Sequence, residues 1–191
     1  MRAPPLVAVA LTALLASLGG CGSETPKTGG PGGTGASAQP GSSDATAKGL
    51  ETLLRAILAS PDKRAELSAT LRPTKADLDA IFDAELAAAA EATYGPVWDK
   101  GELVLDPGDP ERTDVFVRSG SAEDIAAWQG APAEEFPGGW KDVGAHLEPG
   151  TTFWIGSFVK PGEESGMRFD GFVHVNGQWR IVPKPWRLLR K

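Results

Sequence analysis

Between Asp170 and Val182 the chain reads DGFVHVNGQWRIV, two alternating runs joined by Asn176-Gly177. Asn-Gly supplies the positive φ that both central positions of a type I′ turn require, so this stretch is committed to an antiparallel hairpin. A two-residue turn also sets the register: Val175 opposes Gln178, His174 opposes Trp179, Val173 opposes Arg180 and Phe172 opposes Ile181. Side chains alternate along a strand. One face then carries Asp170, Phe172, His174, Trp179 and Ile181, and the other Val173, Val175, Gln178, Arg180 and Val182.

The hairpin strands, Met167 to Asn176 and Gln178 to Val182, need a partner, and Thr151 to Lys160 is the best one. There Phe153, Ile155 and Val159 lie on one face and Trp154 and Phe158 on the other, which predicts a central position. Glu102 to Leu105 and Asp114 to Arg118 are shorter β-favouring runs, separated by the turn chemistry of DPGDPE. Its Asp106, Asp109 and Glu111 lack the register of a calcium loop and read as a solvated turn.

The first half of this region has helical spacing instead. Leu50, Leu53, Leu54, Ile57 and Leu58 form one stripe, and Ser60-Pro61 marks a new start with serine as cap, followed by Leu67 and Leu71. Thr74 and Asp77 form a capping box for a third helix with Leu78, Ile81, Phe82, Leu86 and Ala89 on its stripe, ending by Gly95-Pro96. Glu85 is placed at the edge of that stripe, facing water. A short helix is expected from Ala122 to Trp128, then an irregular segment through EEFPGGW.

Helices first and an antiparallel sheet afterwards define an α+β domain over residues 47–191. This layout, closing on DGFVHVNGQWRIVPKPW, resembles the nuclear transport factor 2-like or cystatin-like folds, and also the ends of uncharacterised bacterial secreted proteins. The resemblance implies helices packed on a curved antiparallel sheet that encloses an apolar pocket.

Before this domain the chain is of another kind. Met1-Arg2 precedes an apolar run from Leu6 to Leu18, too short for the roughly 20 residues of a membrane-spanning helix and laid out as a secretory signal. It ends in Leu18-Gly19-Gly20-Cys21, which resembles the lipobox of bacterial lipoproteins and covers residues 1–21. The resemblance implies removal of residues 1–20, lipidation of Cys21 with a diacylglycerol and an N-acyl chain, and attachment to the cell envelope. Absence of aspartate after the cysteine points to the outer membrane. Because Cys21 is the one cysteine of the chain, lipidation also explains an otherwise unpaired exported thiol. Residues 21–46 are rich in Gly, Ser, Thr, Ala and Pro and hold no side chain able to build a core, so they form a flexible linker. A tether of this length and composition spans about 26 to 31 Å. Gly30, Gly32 and Gly35 match a dinucleotide fingerprint in spacing only, with no strand before or helix after.

The candidate site residues lie on the hairpin and the tail. A pocket on the sheet would offer Asp170, Phe172, His174 and Trp179 to a small apolar ligand. Asp170 and His174, four residues apart on one strand, would share a face at about 13 Å and could not pair directly. Stacking beside Trp179 is the preferred reading of His174, and His146, in a turn-rich stretch, is expected to face solvent. The tail carries Trp186, Arg187 and Arg190 with no acidic residue, a possible contact for an envelope partner, although packing of Trp186 back onto the core is preferred.

No metal or other cofactor is expected: the chain has two histidines, no zinc-type spacing and no phosphate-cradling loop. A formal charge of −6 makes nucleic acid a poor partner. The function expected is that of a lipid-anchored envelope protein with a non-enzymatic binding or interaction domain. The alternative is a small-molecule hydrolase or isomerase with Asp170 or His174 as acid or base.

Overall fold

The computed structural model describes residues 45–189. Cys21, the signal-like stretch, nearly all of the linker and Arg190 lie outside them.

Helix α1 (Ala47–Ala59) opens on Thr46, whose side chain accepts from the Gly49 amide, and buries Leu50, Leu53, Leu54 and Ile57 as its spacing predicts. Pro61 starts a tight turn, Pro61–Lys63, that runs into α2 (Arg64–Ala69). Ser60 makes no side-chain cap there, contrary to expectation; its carbonyl accepts the Lys63 amide instead.

The Thr74–Asp77 capping box forms, but the helix it opens, α3 (Lys75–Asp79), is short. Asp83 restarts the chain as α4 (Ala84–Asp99), its carboxylate accepting from the Leu86 amide at 2.9 Å. Ile81 and Phe82, at the break, both enter the core. Glu85 is exposed as placed. Helix α4 also continues through Pro96, beyond its expected end, because Trp98 is buried and holds the last turn against the core. Proline removes only one backbone bond of the ladder. Tertiary packing outweighs that local stop signal.

Glu102 to Leu105 is not a strand. The Leu105 amide donates to the buried Ser68 hydroxyl at 2.9 Å, so its backbone is satisfied without a ladder. The turn after it is held by Asp106 and Asp109, which accept from the amides of Gly108 and Glu111. Lys160 pairs with Asp109 and Glu111 across it.

Strand β1 (Asp114–Ser121) is longer than its sequence run and leads into α5 (Ala122–Ala127), which Ser121 caps. The stretch expected to be irregular contains two short helices, α6 (Ala131–Glu135) and α7 (Trp140–Val143). Strands β2 (Thr152–Val159), β3 (Gly166–Val175) and β4 (Gln178–Ile181) follow, and the four strands make one antiparallel sheet in the order β1-β2-β3-β4. The domain is α+β. Strand β2 is central, and the hairpin has the predicted register at all four pairs, with Asn176 and Gly177 at φ 50° and 75°.

Helices cover both faces of the sheet rather than one. On the first, Leu50, Leu54 and Ile57 of α1 meet Trp154, Phe158, Phe172 and Ile181. On the second, Phe82, Leu86, Ile125 and Trp140 meet Phe153, Ile155 and Val173. α1 lies close enough that a Cβ on Gly156 of β2 would fall 2.6 Å from Leu54 Cδ1.

Candidate functional site

The expected common face of Asp170 and His174 does not exist. Gly171, at φ 89°, is a bulge: β2 residues Trp154 and Ile155 pair with Phe172 and Asp170, so Gly171 has no opposite number. The extra residue turns Asp170 to the second face while Phe172, His174 and Trp179 stay on the first. A side chain at 171 would place its Cβ 2.0 Å from the Val182 carbonyl oxygen, whose own amide donates to Gly171 O. The close approach of the two backbones makes the bulge.

Asp170 is buried and its carboxylate accepts from Trp140 Nε1 at 3.2 Å and from the Lys184 amide at 3.3 Å. Burial pushes its pKa up from the ordinary carboxylate value, against the pull of those two hydrogen bonds. It ties α7 and the tail to the sheet. The tail is further fastened by the Tyr94 hydroxyl, which donates to the Pro183 carbonyl, and by Trp186, half-buried edge-on to Trp140 and seated over Gly139. Arg187 is exposed.

Phe172 and Trp179 are buried under the helical layer. His174 is half-buried, edge-on to Trp179 at 5.3 Å, while Trp179 is edge-on to Trp154 at 5.9 Å. The His174 Nε2 atom is buried and has no hydrogen-bond partner. Trp179 Nε1, Trp98 Nε1 and Arg64 Nε are buried and unpartnered as well, so this atom does not by itself mark a site. His174 lines a cavity of about 220 Å³, with Trp154, Val175, Ile81, Thr151 and Thr152 among its walls, and none of the lining residues is charged.

Two loop segments border this cavity, at Ala80 and Ile81 and at Gly150 and Thr151, and they are tied to each other. Phe82 and Leu147 form a β-bridge, the Asp83 amide donates to the His146 carbonyl at 2.9 Å, and the Glu148 amide donates to Ile81 O at 3.1 Å. His146 is therefore not a solvent-facing turn residue: its Nδ1 lies 2.7 Å from Asp83 Oδ2 and its side chain is mostly covered. Burial would raise the Asp83 carboxyl, but the Leu86 amide and His146 outweigh it and hold it below the usual range. Glu123 accepts from the Gly150 amide and anchors the other end of the loop.

A second depression, of about 290 Å³, lies on the other face, where Arg118 pairs with Glu135 and Glu164 over Phe116, Ile155 and Ser157. Its charges neutralise one another. Among the described residues no cluster of His, Asp or Glu is placed to hold a metal ion, and no helix is long and apolar enough to cross a membrane.

Neither Thr151, Thr152 nor Ile81 stands out as a site residue in the sequence. Thr151 and Thr152 come beside His174 through the β2–β3 register, in which Phe153 pairs with Val173, and Ile81 joins them because the loop after α7 is bridged to the α3–α4 break, a long-range pairing with no local signature. Comparison of the chain with protein-family models, curated proteins and solved structures finds no match.

Proposed function

We propose that this is a lipid-anchored protein of the bacterial cell envelope, at the outer membrane, whose folded domain binds a small molecule without transforming it. Cys21 carries the lipid and residues 21–46 form the tether. The cavity beside His174 is the binding site. The observation that carries the site is the cavity of about 220 Å³ itself, where His174, Thr151 and Thr152 stand beside Trp154, Ile81 and Val175 with no charged residue in the lining; a concave surface combining apolar side chains with a few polar ones is the general pattern of small-molecule sites.

Asp170 and His174 sit on opposite faces, and Asp170 is engaged by Trp140 and Lys184. The geometry thus favours binding over a hydrolase or isomerase that would use both groups. Helix α1 laid across a four-stranded meander supports a likeness to the cystatin-like or nuclear transport factor 2-like folds, with the helices of the second face as additions.

Ligand-detected NMR on the detergent-solubilised full chain, with a panel of small alcohols, amides and monosaccharides, tests the site. Binding of a panel member that is lost in His174→Ala, with the fold retained by circular dichroism, is the expected result. Binding indifferent to that substitution, or no binding at all, would reject it.

A further inference from the structure

We infer that β1 pairs edge to edge with β1 of a second copy of this chain, antiparallel about a two-fold axis at Phe116, so that two four-stranded sheets become one. This surface is separate from the His174 cavity and does not depend on what binds there.

The two edges of the sheet differ. At one, β4 is covered: the Ile181 amide donates to Leu71 O at 3.0 Å, and Arg180 reaches the Thr70 carbonyl at 2.8 Å. At the other, β1 is not. The Ala122 amide donates to the Thr151 carbonyl at 2.8 Å and continues the β1–β2 register, so the even-numbered residues of β1 bond toward β2. Bonded and non-bonded pairs alternate in an antiparallel ladder, which turns the amides and carbonyls of Val115, Val117 and Ser119 outward. Among the described residues the backbone groups of Val117 and Ser119 have no hydrogen-bond partner on that side, and the Val115 amide donates only to the neighbouring Asp114 carboxylate, at 2.8 Å. An open edge of this kind is a template for another strand.

The side chains select which strand. Residues 114–118 read DVFVR, an apolar palindrome with opposite charges at its ends. Antiparallel pairing about Phe116 sets Phe116 against its own copy, Val115 against the partner's Val117 and Asp114 against the partner's Arg118, and symmetry repeats the last two contacts. Moving the axis to Val117 would set Asp114 against glycine, and moving it to Arg118 would set two guanidinium groups face to face. In the favoured register Val115 and Val117 exchange their amide and carbonyl bonds with the partner's Val117 and Val115. Asp114 gives up the Val115 amide and turns to the partner's Arg118. Arg118 already holds Glu135 and Glu164, while Asp114 brings Arg55, its own partner at 2.8 Å, and Arg168 lies in the same depression. Each seam then joins three guanidinium groups to three carboxylates.

Phe116→Cys in the full chain in detergent tests this. Across the axis the two positions form a non-hydrogen-bonded pair with Cα atoms about 4.5 Å apart, a separation that a disulfide spans. Mild oxidation should give a covalent dimer, with mass spectrometry placing the bridge at position 116 rather than at Cys21. Adding Asp114→Arg sets like charges opposite each other and should cut the yield of that dimer about tenfold. Adding Arg118→Asp as well restores opposite charges and should recover it. Val117→Pro removes an outward amide, which an edge strand tolerates, and should abolish the bridge with the fold retained by circular dichroism. No bridge at position 116, or a bridge indifferent to Asp114→Arg or to Val117→Pro, would overturn the pairing.

Discussion

Arg180 Nε of β4 donates to Asp77 Oδ2 of α3 at 2.8 Å, and both side chains are almost wholly covered, at 11% and 3% exposure. The same carboxylate accepts from the Thr74 amide as half of the capping box and from the Asn176 side chain in the hairpin turn. Arg180 also reaches the Thr70 carbonyl at 2.8 Å, and the Ile181 amide donates to Leu71 O. One carboxylate thus joins a helix start, the hairpin turn and the outer strand of the sheet.

Asp77→Ala should cost about 3 to 5 kcal/mol, because it leaves the Arg180 guanidinium buried without its partner. Urea unfolding measures it. Burial alone would raise the Asp77 carboxyl, but the hydrogen bonds from Thr74, Asn176 and Arg180 prevail and hold it below its ordinary value. A depressed carboxylate stabilises the fold above its unfolded pKa, and that contribution is lost as pH falls through the folded one. The gap between wild type and variant should therefore narrow in acid. A gap that stays constant to low pH would contradict the role given to the charge.

Asp170 carries the opposite sign. Its carboxyl is raised by burial, so the ionised form is the costly one, and its effect on stability worsens as pH rises from the unfolded value of about 3.8 through the raised folded value. Asp170→Asn keeps an acceptor for Trp140 and removes the titration. Relative to wild type, the melting temperature of the variant should improve with rising pH across that window. A difference that does not change with pH would show that Asp170 is not a buried, titrating group.

Gly171→Ala should destabilise the domain by more than about 1 kcal/mol, since alanine at φ 89° is strained and its Cβ would meet the Val182 carbonyl. Gly101→Ala is the comparison, with positive φ but open space around the Cβ position. Equal losses in the two variants would mean that the close approach to Val182 contributes nothing.

Cys21→Ser should abolish incorporation of labelled palmitate in growing cells and leave the chain unprocessed. Label retained by the variant would refute lipidation at this position.

Much of the fold is written in local signals. The Thr74–Asp77 box, the α1 stripe and the Asn176-Gly177 turn depend on neighbours in sequence, and each forms as its residues dictate. The failures are places where distant contacts prevail. Pro96 does not end α4 because Trp98 has a core to enter. Gly171 is a glycine inside a strand, which is the ordinary mark of a bulge, yet only the position of Val182 turns that mark into a change of face for Asp170. The Asp83–His146 pair joins segments with no shared periodicity, so the walls of the cavity could not be assembled from spacing.

The site itself is tested most directly at the two histidines of the chain. Ring-nitrogen NMR of the full chain should show a saturable shift at His174 when a binding probe is added, with His146, held by Asp83 outside the cavity lining, unmoved. A His174 signal that stays fixed while the probe binds, or one that moves no more than His146, would contradict the assignment of this cavity as the binding site.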